Sequence, residues 1–75
     1  MLKTALKNMV DRTRYPELDH ILWDFQAKLI DPDFAFDIYE RRWKYVDPNG
    51  LEAEEQQLIE RLTQEYGKGH FMPAM

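Results

Sequence analysis

PDFAFDIYERRWKYVDPNG, residues 32–50, can be wound as a helix or laid out as a strand, and the rest of the fold follows from that choice. Phe34, Phe36 and Ile38 alternate with Ala35 and Asp37, which is the pattern of a half-buried strand. Wound at about 100° per residue, the same segment sorts differently. Asp37, Glu40, Arg41 and Lys44 gather on one arc, and Phe34, Ala35, Phe36, Ile38, Tyr39, Trp43, Tyr45 and Val46 fill the remainder. No two-residue turn of Gly/Asn type interrupts the segment, so a hairpin over 34–46 has no obvious place to fold back. The helical reading over 32–46 accounts for more of the residues, and the hairpin stands as its alternative. Asp31-Pro32 supports the helix, with Asp31 at the N-cap and Pro32 at the first helical position.

Within that helix the cluster RRWKY separates. Arg41 and Lys44 go to solvent, while Trp43 and Tyr45 go to the core. Arg42 alone falls inside the apolar arc. The turn DPNG, residues 47–50, leads into a further helix over about 51–66. Leu51, Leu58, Ile59, Leu62 and Tyr66 form its apolar stripe, and Glu55 sits within that stripe. A tight turn makes the two helices antiparallel neighbours. The expectation is therefore an ion pair between Arg42 and Glu55 across the hairpin, fixing register more than adding stability.

Towards the N-terminus, Leu2, Ala5, Leu6, Met9 and Val10 share one face of a helix over 2–11. RTRYP then breaks the pattern, since the residue before a proline is pushed out of the α region. A second helix is expected from Pro16 to about Ile30, with Glu17 and Asp19 complementing the dipole in its first turn. Its core stripe is Leu18, Ile21, Leu22, Phe25 and Leu29. Gly67 suits a helix C-terminus, and GKGHFMPAM reads as a flexible tail over 67–75. The fold class is all-α: one domain over 1–66, a small bundle of three to four short helices. Its core is expected around Leu18, Phe25, Leu29, Phe34, Ile38, Trp43, Leu58 and Leu62.

Composition narrows the function classes. With 75 residues the chain buries a modest core. It has no cysteine, which removes disulfides and thiolate metal sites. No apolar run is long enough for a signal-peptide core or a membrane span, so a cytoplasmic protein without a membrane partner is expected. Net charge is −4, but it is unevenly spread. Residues 1–15 carry Lys3, Lys7, Arg12 and Arg14 against Asp11, whereas 16–40 and 51–66 are acidic.

No catalytic, nucleotide or metal motif emerges. Glu17-x-x-His20 with Asp24 has the spacing of a carboxylate–histidine metal pair, but His70 is the one other histidine and lies in the tail. Asp31-x-Asp33 and Asp47-x-Asn49-Gly50 lack the glycine and glutamate positions of a calcium loop. No enzyme activity, cofactor, metal or small-molecule ligand is expected.

Two interaction readings remain. Trp23, with Ala27 and Ile30, forms a second apolar stripe on the second helix. Together with Tyr15 it marks a surface for a protein partner or a second copy, since aromatic residues are enriched at interface centres. The alternative is a nucleic-acid-associated regulator using Lys3, Lys7, Arg12, Arg14, Arg41 and Lys44. The acidic segments oppose it by repelling phosphates.

TRYPELD, residues 13–19, resembles the Arg-Gly-x-x-Glu-Leu-Asp stretch of the small helical flavinylation factors of succinate dehydrogenase. LEAEEQQLIERL, residues 51–62, is similar in flavour to a helix of theirs. Tyr15 or Pro16 stands where those proteins have glycine, and the two stretches are too far apart. The likeness covers less than a third of the chain, and no family is assigned from it.

Overall fold

A computed structural model describes residues 8–74. The chain is mostly helical. Its elements run β1 (Val10–Asp11), α1 (Pro16–Ile21), β2 (Leu29–Ile30), α2 (Pro32–Arg41) and α3 (Ala53–Tyr66). Single 3-10 turns occupy Arg12–Arg14, Trp43–Tyr45 and Pro48–Gly50.

The segment after Asp31 is helical, as its arc predicts, but α2 stops at Arg41 and tightens into the 3-10 turn Trp43–Tyr45. Pro32 stands at the start of α2, where its missing N–H costs nothing. Asp31 is the N-cap residue, although its side chain makes no capping hydrogen bond. Ala35, Phe36, Ile38 and Tyr39 bury the inner face of α2 against α1 and α3. DPNG folds as expected: the Asp47 carboxylate accepts from Asn49 N at 3.0 Å and closes the turn.

The N-terminal half departs from the sequence reading. Of the helix expected over 2–11, residues 2–7 lie outside the described residues, and Val10–Asp11 is extended rather than helical. It pairs antiparallel with Leu29–Ile30, in the register Val10↔Ile30 and Asp11↔Leu29. The helix expected to reach Ile30 ends at Ile21. Residues 22–28 form an irregular arm leading into β2. Leu18, Ile21 and Leu22 are fully buried, as the stripe requires, but Phe25 and Leu29 are exposed and leave the core.

The core gathers Val10, Tyr15, Leu18, Ile21, Leu22 and Ile30 with Ala35, Ile38, Tyr39, Leu58 and Leu62. Phe34 and Trp43 pack against it half-buried. The C-terminal segment, expected loose, lies along α2. Phe71 packs on Trp43 and Phe36 with ring centroids 4.9 and 6.1 Å apart. Met72 N and Ala74 N donate to the Glu40 carboxylate and carbonyl. The end of α3 shows why two glycines are needed. A Cβ on Gly67 would lie 2.7 Å from Phe36 and 2.4 Å from the His70 carbonyl, so the position demands room. The left-handed backbone comes later, at Lys68 and Gly69, with φ of 53° and 84°.

Candidate functional site

The positions of Arg12, Trp23, Arg42 and Glu55 are tied to how α1 is held. α1 has six residues, too few to be stable by itself. Its N-cap, Tyr15, offers no capping side chain. The orphan N–H groups of Glu17 and Leu18 donate instead to the carboxylate of Glu55, from α3, at 3.1 and 2.8 Å. Tyr39 Oη donates to the same carboxylate at 2.7 Å. Glu55 is 0% exposed, and all three donors point at its two oxygens. A carboxylate at a helix N-terminus also complements the dipole. Burial, and then the neighbouring carboxylate, push the Tyr39 phenol far above its ordinary pKa, so it stays a donor.

The other end of α1 is held by cations. Arg12, 9% exposed, directs all five of its N–H donors inward. Nε reaches Asp19 Oδ1 at 2.6 Å. The terminal nitrogens reach the carbonyls of Asp19, Leu22, Phe25 and Ala27 at 2.6–3.3 Å. One guanidinium thus closes the end of α1 and shapes the arm after it. Arg42 supplies the second cation. It donates to the Ile21 carbonyl at 2.9 Å and forms a fork with Asp24 at 2.7 and 3.1 Å. Hydrogen bonds from Arg42 hold the Asp24 carboxyl below its ordinary pKa.

The expected Arg42–Glu55 pair is therefore corrected. Glu55 serves the N-terminus of α1 and Arg42 its C-terminus. Six residues at 1.5 Å rise separate those ends by about 9 Å. Arg42 and Glu55 are both anomalous in their apolar arcs for a shared reason, but they answer α1 rather than each other.

The arm places aromatic surface outward. Trp23 is 58% exposed, and it meets Tyr45 edge-on with centroids 5.3 Å apart. The Arg42 guanidinium lies over the Trp23 ring at 4.2 Å and 5.8 Å from the Phe25 centroid. Phe25 meets Phe34 edge-on at 5.0 Å. Beside it runs a shallow groove of about 420 Å³ lined by Met9, Asp24, Phe25, Ala27, Leu29, Ile30, Asp31 and Phe34. Tyr45, expected in the core, is exposed in this face, and so are Met9 and Leu29. Scans of the chain against protein-family models, curated proteins and solved structures give no significant match. The face has to be judged from its own chemistry.

Of the four residues expected on a partner surface, Trp23 and Ala27 are exposed on the aromatic face. Ile30 lines the groove with its side chain largely in the core, and Tyr15, the N-cap of α1, is buried in the core. The Ile30 correction follows from the early end of α1, which removes the continuous helical stripe; Tyr15, at the N-cap position, turns into the core instead. Phe25, Leu29, Met9 and Tyr45 are the members that periodicity misses. The tripeptide Trp23-Asp24-Phe25, with two large rings around an aspartate, is the available hint.

The basic set does not converge. Lys3 and Lys7 lie outside the described residues. Arg12 is committed to internal acceptors, Arg14 pairs with Glu54, and Arg41 pairs with Asp37 one turn back at 3.3 Å. Lys44 sits 5.3 Å from the Tyr45 ring, at the edge of the aromatic face. Glu17 is used too: its carboxylate accepts from Asp47 N at 2.8 Å and pins the DPNG turn against α1. Among the described residues, no group of His, Cys, Asp or Glu is arranged to hold a metal ion. None of their helices is long and apolar enough to cross a membrane. A larger concavity, about 560 Å³, lies between β1 and α3, and its lining includes Asn8, where the described residues begin.

Proposed function

We propose that the protein is a small non-enzymatic interaction module that docks a protein surface on the face made by Trp23, Tyr45, Phe25 and Leu29. The observation behind this reading is the continuity of exposed rings. Tyr45 touches Trp23, Arg42 bridges Trp23 to Phe25, and Phe25 touches Phe34 at the groove. Large exposed aromatics beside an arginine are the composition of interface hot spots. Contiguous exposed apolar surface rimmed by polar residues is a mark of interaction sites. The face is also held before binding, because Arg12 fixes the arm carbonyls and Arg42 holds the Ile21 carbonyl and the Asp24 side chain. Pre-ordering of that kind lowers the entropy cost of association.

A nucleic-acid role is less well supported, because Arg12, Arg14 and Arg41 are engaged with acceptors of the chain itself. Cross-linked capture from the native cell, with wild type and Trp23→Ala as paired baits, tests the proposal. Partners recovered by wild type and lost with Trp23→Ala are expected. Equal recovery by both baits, or a salt-sensitive shift of DNA or RNA that Trp23→Ala leaves intact, contradicts it.

A further inference from the structure

We infer that the occupant of this face is a second copy of the same chain, in a two-fold dimer; the inference rests on the docking surface proposed above. The face has two halves, one of exposed rings and one a groove. The ring half, here called the ridge, is Trp23 with Tyr45 edge-on against it. The other is the groove of about 420 Å³ along Met9, Phe25, Leu29 and Phe34. The halves also differ in charge. Lys44 flanks the ridge at Tyr45, whereas the charged residues lining the groove are Asp24 and Asp31. Arg42 already occupies Asp24, and the Asp31 side chain caps no N–H of its helix.

Arg42 lies where the halves meet, within reach of both the Trp23 and Phe25 rings. A two-fold axis beside Arg42 sets the ridge of each copy into the groove of the other. It brings Lys44 of each copy towards Asp31 of the other. A self-complementary patch is what an isologous dimer requires, with each contact made twice.

The charge pairing makes a mixing experiment decisive. Lys44→Glu sets a new carboxylate against Asp31 twice per dimer, and Asp31→Lys sets a new ammonium against Lys44 twice. Mixed, the two variants form a dimer in which the exchanged charges attract at one contact and the unaltered Lys44 and Asp31 attract at the other. Sedimentation of the full chain from micromolar to millimolar concentration is expected to show a reversible wild-type dimer. Each single variant should dissociate roughly tenfold or more readily, since like charges across an interface are costly. The equimolar mixture should regain dimer, which also proves both variants folded. A wild type that stays monomeric overturns the inference but leaves the face available to another protein. A mixture no tighter than its parts also overturns it. A dimer that Trp23→Ala leaves unchanged forms on another surface and overturns the inference, whereas the docking face itself falls only if wild type and Trp23→Ala recover the same partners.

Discussion

Glu55 is the residue on which most of the structure converges. Its carboxylate joins α3 to two amides of α1 and to the phenol of α2. Glu55→Ala leaves two buried donors, Leu18 N and Tyr39 Oη, and the part-buried Glu17 N without an acceptor, at a cost of about 1–3 kcal/mol for each buried one. Loss of about 3 kcal/mol or more is expected by chemical denaturation, and Glu55→Gln should lose less because one acceptor oxygen survives. A Glu55→Ala cost below about 1 kcal/mol, on the scale of a surface change, would mean that α1 is not held from α3. Asp24 carries the pH prediction. Its carboxyl is held below its ordinary 3.8 by Arg42, so the pair's contribution is present above the ordinary carboxyl range and is lost as pH falls below it. An NMR titration should place Asp24 below 3.8, and Arg42→Ala should move it up. An Asp24 that titrates at the ordinary value with Arg42 present would show that the fork does not form in solution.

Among the elements, α1 is the one held from outside, by remote ions at both ends of a very short helix. What is legible in the sequence is local. Asp31-Pro32 marks the start of α2 and DPNG the turn before α3, and the arc of α2 outweighs the alternation of Phe34, Phe36 and Ile38, although α2 ends at Arg41 rather than at 46. The oddness of Arg42 and Glu55 is visible as well. The end of α1 is not legible, because nothing between Leu22 and Lys28 is a glycine or proline. The helix stops there because Arg12, ten residues before Leu22, takes the terminal carbonyls, and no window of periodicity includes that contact. For the same reason Phe25 and Leu29 read as core in the sequence, and the groove has no signature there. Arg12→Lys keeps the charge but offers three N–H donors in place of five. Hydrogen exchange across 22–28, at Phe25 N above all, should speed up in that variant while α3 keeps its protection. Unchanged exchange in the arm would mean that Arg42 and ring packing suffice to hold it.

For the molecule as a whole, the two ion-capped ends of α1 have one outward consequence. The buried side of the arm is fixed by Arg12, so its other side presents Trp23 and Phe25 to solvent next to Tyr45. Stability and surface are thus coupled: the residue that ends the helix also positions the rings. Glu52, Glu54, Glu60 and Glu65 of the α3 segment are exposed, and their like charges oppose contact between copies along α3. Whether the Trp23 face is where this protein makes contact can be read from amide and indole resonances followed as concentration rises. Shifts or broadening confined to the Trp23 indole N–H, residues 22–29, Lys44 and Tyr45 are the predicted result. A spectrum unchanged with concentration would deny the second copy. Shifts centred on the outer face of α3, with the Trp23 indole N–H unmoved, would contradict the account.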